Sequence, residues 1–215
     1  MNKIIHHNPN LRSGNKGTQF EEEILYTMNV YNQGEPIIVC YLERCEVPKI
    51  MSRGRIIYLE KKGFDLMGGV RIPLHITTDI MAGKIKSSII PFQMIHLCIE
   101  AKNIDDALPI LDDSVSFNSK GKKKSKGHGV KAHQLQALCE LQKSGAICMI
   151  LWKTRVRLNA FNKSEELKVY KLDPLQIMSE VGMGKSITIE KHKSLLTEVQ
   201  PYGLAWDFLN LLKRN

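Results

Sequence analysis

Long apolar runs are missing from this sequence. No stretch approaches the roughly 20 residues that a helix needs to cross a bilayer, and the N-terminus has no signal-peptide pattern. A membrane partner is therefore not expected, and a cytoplasmic location is. Cysteine is sparse and odd in number: Cys40, Cys45, Cys98, Cys139 and Cys148 are scattered, mostly within apolar stretches. That pattern excludes a disulfide framework or a zinc site and leaves reduced thiols in a core. Acidic residues are the minority charge, 22 Asp and Glu against 31 Lys and Arg, a net +9 over 215 residues. A basic chain suits a polyanion, nucleic acid ahead of an anionic membrane surface. Apolar residues are not in short supply. At 43% they exclude global disorder and suit one domain, or one domain with an appendage.

The residues that carry chemistry concentrate between Thr77 and Lys102. Phe92 to Lys102 predicts a β-strand, because Ile95, Leu97, Ile99 and Ala101 alternate as one apolar face. Side chains two apart in a strand share a face, so Glu100 and Lys102 point the same way. Asp79 sits upstream in Thr77-Thr78-Asp79, a segment that ends at Gly83. If that segment pairs with the strand as a hairpin, the carboxylates of Asp79 and Glu100 converge. Two carboxylates bind a hard divalent cation through oxygen. A bound cation activates water and stabilises charge on a phosphoryl oxygen, and Lys102 is placed to orient that water or bind the phosphate.

The rest of the chain reads as an α/β domain with basic appendages. Residues 1–16 form an expected mobile basic arm, with Arg12 and Lys16 available for phosphate contacts; its His6-His7 pair has no further ligand at a useful spacing. Thr18, with Glu21 three residues on, predicts an N-cap and capping box for a helix whose buried stripe is Phe20, Ile24, Leu25 and Met28. Ile37 to Leu42 reads as a core strand. Pro48 to His75 carries Lys49, Arg53, Arg55, Lys61, Lys62 and Arg71, a short strand Ile56 to Leu59, and Gly63, Gly68 and Gly69 as turn signals. It reads as a basic hairpin between two core strands. Residues 112–130 contain Lys120-Gly121-Lys122-Lys123-Lys124-Ser125-Lys126, a flexible low-complexity loop in which Lys122, Lys123 and Lys124 offer generic phosphate affinity.

Lys131 to Lys143 predicts a helix with His133-Gln134 in its first turn, and Gly145 to Trp152 a continuous apolar strand near the sheet centre. Arg155 to Phe161 and Val169 to Leu172 read as further strands. Pro174 opens a short helix, and Leu204 to Arg214 reads as an amphipathic last helix. Gly182-Met183-Gly184-Lys185-Ser186 mimics the end of a phosphate-binding loop, but position 179 is Ser where that motif requires Gly and no strong strand precedes it. An ATP site is therefore rejected.

Asp-x(n)-Glu-x-Lys is the skeleton of the PD-(D/E)XK nucleases. Thr77-Thr78-Asp79, Ile99-Glu100-Ala101-Lys102, His133-Gln134 and Gly145-Ala146-Ile147-Cys148, in that order, resemble the RecU-type Holliday junction resolvases of that superfamily. The resemblance runs from Gly17 to about Trp206. It implies a mixed β-sheet flanked by helices, a restriction-endonuclease-like core spanning 17–215, with the basic hairpin of about 48–75 as a protruding stalk. It implies Mg²⁺ or Mn²⁺ at Asp79, Glu100 and Thr77, catalytic roles for Asp79, Glu100 and Lys102, and Gln134 reaching the site from its helix. An acid of the first helix approaches the metal in related resolvases. Here Glu21 is the first candidate and Glu22 the second, and capping of the helix accounts for both acids equally. The implied activity is metal-dependent hydrolysis of phosphodiester bonds in a four-way DNA junction by a homodimer, in recombination and repair. Two alternatives stay open, a nuclease of this fold acting on other branched or damaged DNA and a non-catalytic DNA-binding relative. The Lys-rich loop is longer than the family's connection there, with Ser116-Phe117 in the place of its Ser-Phe-Pro turn.

Overall fold

The computed structural model describes residues 15–33, 39–45, 49–52, 55–58, 64–73, 78–81, 84–87, 92–112, 128–157 and 165–209. In chain order these form helix α1 (Asn15–Gln33), strands β1 (Val39–Arg44), β2 (Lys49–Ser52), β3 (Arg55–Tyr58), β4 (Leu66–Pro73), β5 (Thr78–Met81), β6 (Lys84–Ser87), β7 (Phe92–Asn103), β8 (Ala107–Leu111) and β9 (Val130–Lys131). Then come helix α2 (Ala132–Lys143), β10 (Ile147–Arg157), β11 (Glu165–Leu172), a short helix α3 (Pro174–Gln176) that continues as one wider turn to Val181, and β12 (Ser186–Thr188). Strands β13 (Thr197–Val199), β14 (Pro201–Tyr202) and β15 (Ala205–Trp206) follow.

Six strands make the central sheet in the order β1-β4-β7-β10-β11-β13. The pair β7–β10 is parallel and the other pairs are antiparallel, so the sheet is mixed, as expected. Strand alternation sends the two sides of β7 and β10 into separate cores. Leu97, Ile99, Ala101, Met149 and Leu151 pack with Phe20, Ile24 and Met28 of α1. Cys98, Cys148, Ile150 and Trp152 pack on the other face with Leu135, Leu138 and Cys139 of α2. Strand β10 reads as one apolar run because both its faces are covered. Arg155 to Arg157 is the end of this same strand and not the start of a new one.

Three sequence expectations are corrected. Helix α1 starts at Asn15, so Thr18 lies inside the helix and is not its N-cap. The stretch 48–75 is not one hairpin: β2 pairs with β3, but Leu66–Pro73 is a core strand between β1 and β7. Gly68 and Gly69 are mid-strand residues of close approach and not turn residues. A Cβ on Gly68 would lie 2.0 Å from the carbonyl oxygen of Tyr41, on the neighbouring strand. Finally, Ala205–Trp206 pairs with Pro201–Tyr202 in a tight hairpin about Gly203, where the amphipathic helix was expected to begin.

That C-terminal hairpin docks on α1. The Trp206 indole N–H donates to Glu23 Oε2 (3.0 Å), and its backbone N–H donates to Thr27 Oγ1 (3.1 Å). Tyr31 donates to Asp207 Oδ1 (3.0 Å), and Phe208 is fully buried with its ring edge-on to Tyr31. The buried ammonium of Lys153 closes the group, 2.7 Å from Glu23 Oε1. No helix among the described residues is long and apolar enough to cross a membrane.

Candidate active site

Strand β7 is continuous through Glu100 to Asn103, which puts Glu100 and Lys102 on its α2-facing side, as the alternation predicts. Glu100 is fully buried and ion-paired with Lys102. The described side chain that joins them is an acid other than Asp79, whose own side chain is not described. Both neighbours of β7 in the central sheet, β4 and β10, are accounted for, and β5 pairs with β6 instead, with Asp79 opposite Lys86. The hairpin pairing through which Asp79 was to meet Glu100 is thus replaced by β4–β7, with Leu66 opposite Ile99. The residue just before β4 is Asp65. Its carboxylate accepts the Ala101 N–H (3.1 Å), between Glu100 and Lys102, and lies 3.8 Å from the Lys102 ammonium.

Backbone bonds fix Asp65 from both sides. Its N–H donates to the Ile99 carbonyl (3.1 Å) and its own carbonyl accepts from Cys45 N–H (2.8 Å). Its neighbours Phe64 and Leu66 are both buried. An acid wedged between two apolar residues at the head of a strand is the signal in the sequence that could have found it.

Burial dominates the electrostatics. Glu100 is pushed up to about 8, first by desolvation and further by the Asp65 carboxylate, against the pull of Lys102. Its Oε1 meets Lys102, while Oε2 is buried and has no hydrogen-bond partner among the described residues. Holding its proton up to about 8, with the Asp65 carboxylate alongside, spares this buried acid an unpaired charge, and a cation beside it would take the place of that proton. Among the described residues no three His, Cys, Asp or Glu side chains stand close enough to hold a metal, and the carboxylates described at this point are those of Asp65 and Glu100. That suits Mg²⁺, which is commonly held by one or two carboxylates with several retained waters.

The other expected site residues divide. Gln134 is buried in the first turn of α2, on the Glu100 side of the sheet, and its amide oxygen accepts the Lys131 N–H (3.0 Å), so it caps its own helix. Glu21 and Glu22 both pair with Arg44 of β1 (3.1 and 3.4 Å), on the helix that covers the opposite face of the sheet. Lys16 falls in the first turn of α1, where its carbonyl accepts from Asn103 Nδ2 (3.2 Å), next to Lys102. Arg71 is exposed on β4. Asp79 and Arg55 are described in their backbone alone. Thr77, Arg12, Arg53, Lys61, Lys62, Lys122, Lys123 and Lys124 lie outside the described residues. No family model matches this chain, and no curated protein matches it at a significant level.

Proposed function

We propose that this chain is a metal-dependent endonuclease of the PD-(D/E)XK type, acting on branched DNA and first of all on the four-way junction that its RecU-like motif order implies. One observation carries the reading: two acids and a lysine meet at the ends of adjacent strands, and the Asp65 carboxylate is close enough to raise the buried Glu100. Asp65 takes the part that the resemblance gives to Asp79. Asp65 and Glu100 would hold Mg²⁺ or Mn²⁺, which when bound supplies Lewis-acid stabilisation of phosphoryl charge and a more acidic water. The Ala101 N–H holds the Asp65 carboxylate in place, and Lys102 balances both acids while keeping an ammonium at the site for water or phosphate. The net charge of +9 favours the DNA. A homodimer belongs to the proposal, since two-fold symmetry matches two cuts in one junction.

The protruding hairpin is assigned in this reading to β5–β6. Its paired positions add to the same total as those of β4–β7, so it keeps the register of the core pair. Asp79 would then belong to the hairpin and not to the metal site.

The test is cleavage of a labelled four-way junction beside linear and forked duplexes, with and without Mg²⁺. The wild type should cut the junction only with metal. Asp65→Asn and Glu100→Gln should each lose roughly 100-fold or more, the worth of several kcal/mol of metal-borne stabilisation. Asp79→Asn should cut at near the wild-type rate. If Asp79→Asn is dead and Asp65→Asn is active, the acid lies in the Thr-Thr-Asp segment after all. If no DNA is cut with either metal, the nuclease reading falls.

A further inference from the structure

We propose that the open part of the central sheet beside this site is a stacking platform for an unpaired nucleobase. The proposal takes its substrate class from the nuclease reading, and its geometry stands independently of that reading.

Among the described residues, the core on the α2 side of the sheet takes in Cys98, Cys148 and Ile150 and leaves out the β1 end. There Tyr41 of β1 (48% exposed), Met67 of β4 (42%) and Met94 of β7 (47%) stand open, with exposed His96 and Arg71 among them. Tyr41, Gly69 and His96 form one cross-strand row, and Arg71 lies opposite Met94 in another. Gly69 makes the floor flat. A Cβ there would come within 2.7 Å of Met94 Sδ and 2.9 Å of Tyr41 Cε1, so ring and thioether meet over the glycine. His96 and Glu100 share a face of β7 four residues apart, about 13 Å along the strand.

Charge and size choose the occupant. An aromatic ring bordered by arginine and imidazole suits a base with its phosphate, and stacking accepts any base through its π-face. Glu43, exposed two residues from Tyr41, is unfavourable to phosphate on its side, so the backbone would run on the side away from it. A stable protein partner needs about 800 Å² from each side, more than three apolar side chains offer. Bases inside a duplex have both faces covered by their neighbours, so the platform can engage only bases that are unpaired, as at a branch point.

The test uses a dT oligonucleotide with a central 2-aminopurine, whose fluorescence falls on stacking, in EDTA so that nothing is cut. The same sequence as a full duplex is the control. Wild type should quench the single strand. Tyr41→Ala should weaken single-strand binding by about 5- to 150-fold, the worth of one base–aromatic stack, and leave duplex binding unchanged. Tyr41→Trp should retain it. Gly69→Ala, which removes no contacting group, should also weaken it by crowding ring and thioether. Unchanged binding in Tyr41→Ala, or equal losses on single strand and duplex, would overturn the platform. So would a change of oligomeric state in Tyr41→Ala by sedimentation, which would make the face a contact between copies. Cutting of the junction without quenching sinks the platform alone; quenching without cutting sinks the nuclease reading alone.

Discussion

Glu100 is an acid buried among apolar residues, and its proton is tied to the stability of the fold. Unfolded, it would lose that proton near the ordinary value of 4.5; folded, it keeps it up to about 8. Between those values the native state binds more protons than the unfolded one, so stability falls as pH rises. The contribution is fully present below about 4.5 and is lost as pH passes through about 8. The urea midpoint of the metal-free protein should therefore drop between pH 5 and pH 8.5, and Glu100→Gln should flatten that drop. Parallel profiles for the two proteins would show that Glu100 does not hold the proton. Adding Mg²⁺ at pH 8.5 should raise the wild-type midpoint and not that of Glu100→Gln, because a ligand of the native state stabilises only what binds it.

At the scale of elements, periodicity made much of the sheet legible. Strands β7 and β10 and helix α2 follow from runs whose faces are uniformly apolar or cleanly alternating. Strand β4 was not legible, because Gly68 and Gly69 give no side-chain pattern and glycine pairs usually mark turns. What they mark here is crowding, by the Tyr41 backbone at Gly68 and by the Tyr41 and Met94 side chains at Gly69, which depends on the neighbouring strands and so cannot be read from local sequence. The same error hid the site. Once Leu66–Pro73 is a core strand, Asp65 stands beside Glu100, an acid that the sequence reading did not consider. Glu100 and Lys102 were legible because two residues on one strand share a face whatever the neighbours do. The C-terminal hairpin was missed because Trp206, Leu209 and Leu212 recur at helical spacing, and it is docking on α1 that favours the hairpin at Ala205–Trp206. Gly68→Ala should cost about 1–3 kcal/mol or more through overpacking, since the clash is with backbone. Gly69→Ala meets only movable side-chain atoms and should cost clearly less. Chemical denaturation of the two variants measures the difference.

On the scale of the whole molecule, the last described residues close the structure onto its first. Phe208→Ala should cost about 3–5 kcal/mol, as for other fully buried aromatic residues. Under the proposed function it should do so without changing the relative affinities for junction and duplex, because the docked hairpin lies on the α1 side of the sheet and the acids on the other. Thermal unfolding with competition binding separates the two effects. The bond from Trp206 to Glu23 spans 183 positions. During synthesis α1 leaves the ribosome first and waits for that partner. At 5–20 residues per second the wait is roughly 10–40 s, during which Phe20, Ile24, Met28 and Tyr31 lack part of their final cover. The stripe that seals the finished protein is thus, for that interval, a natural landing site for a chaperone.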